Sequence, residues 1–144
     1  MKRACFAVLV VVFLAGVCFA QSAHQVEVVA EVSLTNQTGT VGGTLYTPKE
    51  TGMFRVNFYV QCTGQGQNAQ GLYPMLQFTD DIGPDFDAQL GFAGDGQPQA
   101  PSSWTNIIKA KAGTPIIWQV QLLSGDTSPY EVYIALERIG PKVQ

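Results

Sequence analysis

The chain has 144 residues, three cysteines, one histidine and a formal charge of −3, a length that suits one domain. Without Lys2 and Arg3 of the basic N-terminus, the eight basic residues become six against eleven acidic ones, and the charge moves to −5. An acidic domain with no basic cluster repels phosphate backbones and anionic bilayer surfaces, which argues against nucleic acid or a membrane as partner.

Residues 1–20 read as a signal peptide. Met1-Lys2-Arg3 supplies the positive start, Ala4 to Val17 is an apolar run, and Cys18-Phe19-Ala20 places small residues where a signal peptidase reads. The run is shorter than the roughly 20 residues that span a bilayer. Cleavage before Gln21 leaves 21–144 as one exported domain, secreted or periplasmic, with no membrane insertion afterwards. Cys5 and Cys18 leave with the leader, so Cys62 has no intrachain cysteine partner. It ends an apolar alternation and reads as a buried thiol.

The rest alternates with period two, the signature of half-buried strands. In the first, Val26, Val28, Ala30, Val32 and Leu34 face inward and Glu27, Glu31 and Ser33 outward. A shorter strand is expected at Thr40 to Tyr46, weakened by Gly42 and Gly43. Phe54, Val56, Phe58, Val60 and Cys62 define the next. Leu72, Leu76 and Phe78 follow, with Pro74 pointing to a sheet edge. A short strand carries Phe86, Ala88, Leu90 and Phe92. Then come Trp104, Ile108 and Ala110, then Ile116, Trp118, Val120 and Leu122, and finally Tyr130 to Ile139 with Val132, Ile134 and Leu136 inward. Gly- and Pro-rich stretches such as "TGQGQNAQG" and "AGDGQPQAP" separate them. No helical spacing persists over three turns. The expectation is an all-β antiparallel sandwich, a jelly roll of about eight strands.

Two stretches resemble a known superfamily. In "GTLYTPKETGMFRVNFYV" an aromatic (Tyr46), Thr47-Pro48, Gly52 and a second aromatic (Phe54) lead into a core strand. The C-terminal "IIKAKAGTPIIWQVQLL" and "YEVYIALERIG" give a Lys-rich strand, a Gly turn, a long strand and an aromatic-rich last strand. Both resemble the tumour-necrosis-factor-like jelly rolls, including complement-collagen head domains, and small exported or phage-associated bacterial proteins with this ending. The chain has Gly113-Thr114 where that family usually has Gly-Asp, and Glu131-Val132 where it often has Ser-Gly. The resemblance implies a jelly roll that commonly packs as a homotrimer, without catalysis.

Candidate sites are few. Asp80, Asp81, Asp85 and Asp87 in "TDDIGPDFD" have the oxygen chemistry of a calcium loop, the one cofactor considered. The alternative is a turn that uses its own carboxylates. His24, the only histidine, lies near the expected mature terminus, which leaves a triad or zinc site without a positioned imidazole. No nucleophile elbow or phosphate loop occurs, so an enzyme is not expected.

Tyr59, Ile107, Ile117, Leu123 and Tyr133 fall on outward positions and exceed what a monomer shows to water. They are the expected interface of a homo-oligomer, with a trimer favoured. Asn36-Gln37-Thr38 is a glycosylation sequon on an expected turn. The function read from these features is a non-catalytic structural or adhesive unit. The alternative is a carbohydrate-binding module that holds an extracellular glycan on Tyr73, Trp104 and Tyr130.

Overall fold

The computed structural model describes residues 26–64, 71–88, 101–122 and 127–140, with only backbone described at 86–88. Eight strands follow in order: β1 (Glu27–Gln37), β2 (Val41–Tyr46), β3 (Gly52–Cys62), β4 (Leu72–Thr79), β5 (Pro84–Ala88), β6 (Ser102–Ala110), β7 (Ile116–Leu122) and β8 (Tyr130–Ile139). All pairings are antiparallel and nest one inside the next: β1 with β8, β2 with β7, β3 with β6, β4 with β5. Pairings of β3 with β8 and β4 with β7 complete two four-stranded sheets, β1-β8-β3-β6 and β2-β7-β4-β5. That nested pairing across two sheets is a jelly roll, as the alternation and the resemblance both led us to expect.

Alternation drives the packing. Phe54, Val56, Phe58, Val60 and Cys62 of β3 are all buried, as are Ile116, Trp118, Val120 and Leu122 of β7 and Tyr130, Val132, Ile134 and Leu136 of β8. These faces meet between the sheets as one core, and the Cys62 thiol lies within it. The Tyr46-to-Phe54 stretch does what its composition suggests. Tyr46 ends β2, Pro48 is buried in the connection, and the Tyr46 and Phe54 rings meet at 5.9 Å in a tilted contact. At the β6–β7 turn Gly113 has φ 74°, and Thr114 N–H donates to the Lys111 carbonyl at 3.3 Å. The third position of this turn needs positive φ, which glycine supplies without steric cost.

Four expectations are corrected. Val26 and Val28 do not face inward; both are exposed. The register of β1 on β8 shifts between Val28 and Ala30, a bulge with Val29 as the extra residue. An inserted residue reverses facing on one side of itself, so Val29 turns to the core and Val28 to solvent. Pro74 does not mark an edge strand, because β4 lies between β7 and β5. Among the described residues, β5 pairs with Met75–Thr79, and Pro74 is outside those pairs. The fifth strand starts at Pro84, earlier than expected, and Leu90 and Phe92 lie outside the described residues. The sequon turn is a second bulge in β1: the register shifts between Leu34 and Gln37, and Asn36 has φ 55°, which asparagine tolerates better than most residues.

Tyr130 ties β8 to the β1–β2 connection. Its ring is fully buried, and its hydroxyl donates to the Gly39 carbonyl at 2.6 Å. Burial pushes the phenol from 10.0 up to about 12, because a low-dielectric site disfavours the charged form. The folded state therefore holds this proton more tightly than the unfolded chain. The resulting stability is fully present below pH 10 and is lost as pH rises through about 12. Tyr130→Phe removes that titration. We expect it to lower stability at neutral pH by ~1 kcal/mol, the net worth of one hydrogen bond. The alkaline fall in stability becomes shallower than in the wild type, which chemical denaturation between pH 8 and about 12 measures.

Candidate functional site

The sandwich turns two outer faces to solvent, and they differ in chemistry. On the β1-β8-β3-β6 sheet, the strand register sets side chains in rows. Ser33, Tyr133, Tyr59 and Ser103 form one, Glu31, Asn57 and Thr105 belong to the next, and Val28, Glu137, Arg55 and Ile107 follow. Ile139, Met53 and Lys109 close the face. Polar groups here satisfy one another. Arg55 Nε donates to Glu137 at 2.5 Å, Tyr59 hydroxyl to Gln61 Oε1 at 2.6 Å, Thr105 Oγ1 to Asn57 Oδ1 at 2.8 Å, and Tyr133 hydroxyl to Glu31 Oε1 at 3.1 Å. The Glu31 bond is also the main reason the Tyr133 phenol titrates above its ordinary value.

Between these pairs stand large apolar side chains with high exposure: Ile107 at 62%, Val28 at 50%, Met53 and Tyr133 at 41% each. Tyr59, Tyr133 and Ile107, three of the expected interface residues, therefore share this face. Ile117 does not join them. It projects from β7 on the outer face of the other sheet. Leu123 lies outside the described residues. Val28 and Met53 were not expected: the bulge hid the first, and the second is the outward neighbour of Phe54 at the strand start.

The rings considered for glycan contact are scattered. Tyr130 is a core residue, since it has the parity of Val132 and Ile134. Trp104 stacks on Phe58 with centroids 4.8 Å apart and ring planes 6° from parallel, against the core. Neither offers a surface platform. Tyr73 alone keeps an outward position, opposite Gln121 on the β2-β7-β4-β5 sheet.

The acidic segment forms the β4–β5 turn. Asp80 Oδ1 accepts from the backbone N–H of Ile82 at 2.6 Å and of Gly83 at 3.0 Å. These two bonds, Gly83 first, hold the Asp80 carboxyl below its ordinary value. Asp81 pairs with Lys109 of β6, which raises the lysine's affinity for its proton. The adjacent Thr79 carbonyl accepts from Lys111 N–H at 2.8 Å, so this turn is fastened to the opposite sheet. Asp85 is exposed, and the Asp87 side chain is outside the described residues. Among the described residues no three acidic, histidine or cysteine side chains converge as a metal site would require. His24 is not among the described residues.

No family model and no curated protein matches the chain. Solved structures do. The chain is similar to a pentameric capsid protein isolated from metagenomic phage sequences, at 15% identity over 94% of this chain and 79% of that one, TM-score 0.43. It is similar to Eiger TNF from S. frugiperda, at 14% identity over 80% and 96%, TM-score 0.38. A third likeness is to the CBM22-1 xylan-binding domain of Xyn10C from Paenibacillus barcinonensis, at 13% identity over 84% and 85%, TM-score 0.39. These are likenesses of fold, and the jelly roll itself is read from the nested strand pairing of this chain.

Proposed function

We propose that the chain is exported through residues 1–20 and acts as a non-catalytic structural or adhesive unit that self-associates. The observation that carries this reading is the outer face of the β1-β8-β3-β6 sheet. Ile107, Val28, Met53 and Tyr133 are exposed there together, interleaved with polar pairs already satisfied within the chain. Such a face loses little hydrogen bonding when covered and gains by removing apolar surface from water. A second copy is the partner, and the jelly-roll resemblance favours a trimer.

Sedimentation velocity of the purified chain over a concentration series tests it. The wild type should sediment as an oligomer. Val28→Asp with Ile107→Asp should sediment as a monomer with little change in melting temperature, because both positions are exposed. A wild-type chain that stays monomeric at its highest soluble concentration would remove the proposal.

A further inference from the structure

We propose that the opposite outer face, on the β2-β7-β4-β5 sheet, binds an uncharged polysaccharide. The inference rests on different residues from the self-association reading and stands without it.

Charge is distributed unevenly between the sheets. Strands β2, β4 and β7 contain no charged residue, and β5, at the edge of the same sheet, carries Asp85 and Asp87 at positions paired with the buried Phe78 and Leu76, whereas β1, β3, β6 and β8 together carry Glu27, Glu31, Arg55, Lys109, Glu131, Glu137 and Arg138. In place of ions, the outer side of β4 and β7 presents glutamines. Gln119 lies opposite Met75, Gln77 opposite Ile117, and Gln121 opposite Tyr73. Successive rows on one face stand about 7 Å apart.

Unlike the polar groups of the other face, these are idle. Among the described residues, Gln77, Gln119, Gln121 and Tyr73 have no side-chain hydrogen bond. An amide both donates and accepts, as does a sugar hydroxyl, so several amides on a neutral surface suit a ligand rich in hydroxyls. A charged ligand lying across β2, β7 and β4 would find no counter-charge in those strands. An uncharged one loses nothing by that.

The surface is also hollowed. A groove of about 300 Å³ runs over Gly42 and Gly43 beside Ile117 and Gln119. It adjoins a smaller hollow of about 40 Å³ between Met75, Gln77 and Ile117. The two share Ile117 and Gln119, so they make one trough across the strands. Gly42 keeps its floor low: a Cβ there would stand 2.7 Å from the Trp118 carbonyl oxygen. Met75 and Ile117 give the trough apolar surface for the C–H faces of sugar rings, and the glutamines supply its polar rim.

Native gels cast with xylan, mixed-linkage β-glucan or galactomannan test the proposal on the full chain, with polygalacturonate as the anionic control. At least one neutral polymer should retard the protein, and polygalacturonate should not. Retardation should persist in about 0.5 M salt, because contacts to an uncharged ligand are not screened. Replacing Gln77 and Gln119 together by Ala should weaken binding about tenfold, the loss expected from two hydrogen bonds, with melting temperature and sedimentation unchanged. Three results would overturn the proposal: no retardation by any neutral polymer, retardation that survives the double replacement, or retardation that salt abolishes. A double replacement that alters sedimentation without any glycan binding would assign the face to a second copy and also defeat it.

Discussion

Phe54→Ala is expected to destabilise the domain more than any surface change described above. Phe54 is 1% exposed and sits where β3 enters the core, with Tyr46 against its ring at 5.9 Å. Truncation removes most of the ring's buried area and leaves a cavity that two hydrogen-bonded sheets cannot close. Losses for buried Phe→Ala run at ~3–5 kcal/mol. Native domains hold only ~5–15 kcal/mol in total, so a large share of the stability goes with one side chain. Urea denaturation should show a lower midpoint with an unchanged slope, since the area exposed on unfolding barely changes. Phe54→Leu, which keeps most of the volume, should recover more than half of the loss.

The adjacent glycines of β2 give a second large effect, with opposite outcomes one residue apart. A Cβ at Gly42 would meet the Trp118 carbonyl oxygen at 2.7 Å and the Gln119 Cα and Cβ at 3.1 Å. Those first two atoms are backbone, and β7 is an interior strand held on both sides. The only way to accommodate Gly42→Val is to lift β2 away, which breaks ladder bonds from Val41 to Tyr46. A cost of ~1–3 kcal/mol is expected, as for other overpacked sites. At Gly43 a Cβ meets nothing within 4 Å, and valine is a better strand residue than glycine. Gly43→Val should therefore be neutral or slightly stabilising. Thermal melts of the two variants side by side check this. Equal losses would show that β2 does not approach β7 in this way.

How much of this was legible beforehand varies with the physics involved. Strands β3, β7 and β8 could be read from alternation alone, because their inward positions are apolar without interruption from Phe54 to Cys62, Ile116 to Leu122 and Tyr130 to Leu136. Strand β1 could be located but not oriented: the Val28-Val29 doublet breaks the rhythm, and only pairing with β8 shows which residue is extra. Tyr130 and Trp104 illustrate a different limit. An aromatic ring suits a core and a glycan platform equally well, and Tyr130 declares itself only through its parity with Val132.

The self-association face was half visible. Tyr59, Ile107 and Tyr133 are outward by parity, but their sharing of a sheet depends on β3 lying between β6 and β8. Ile117, outward by the same rule, belongs to the other sheet. The glutamine face was hidden for the same reason. Gln77 and Gln119 are far apart in sequence and meet on one surface through the pairing of β4 with β7. A composition rich in glutamine does not reveal which of them share a face.

Side-chain oxidation footprinting at low and high protein concentration tests the central claim most directly, because each face carries a methionine and at least one tyrosine. Self-association through the β1-β8-β3-β6 sheet predicts that Met53 and Tyr133 become protected as concentration rises, while Met75 and Tyr73 keep their dilute-solution reactivity. Protection of Met75 and Tyr73 with Met53 and Tyr133 unchanged, or no protection at either pair, would contradict it.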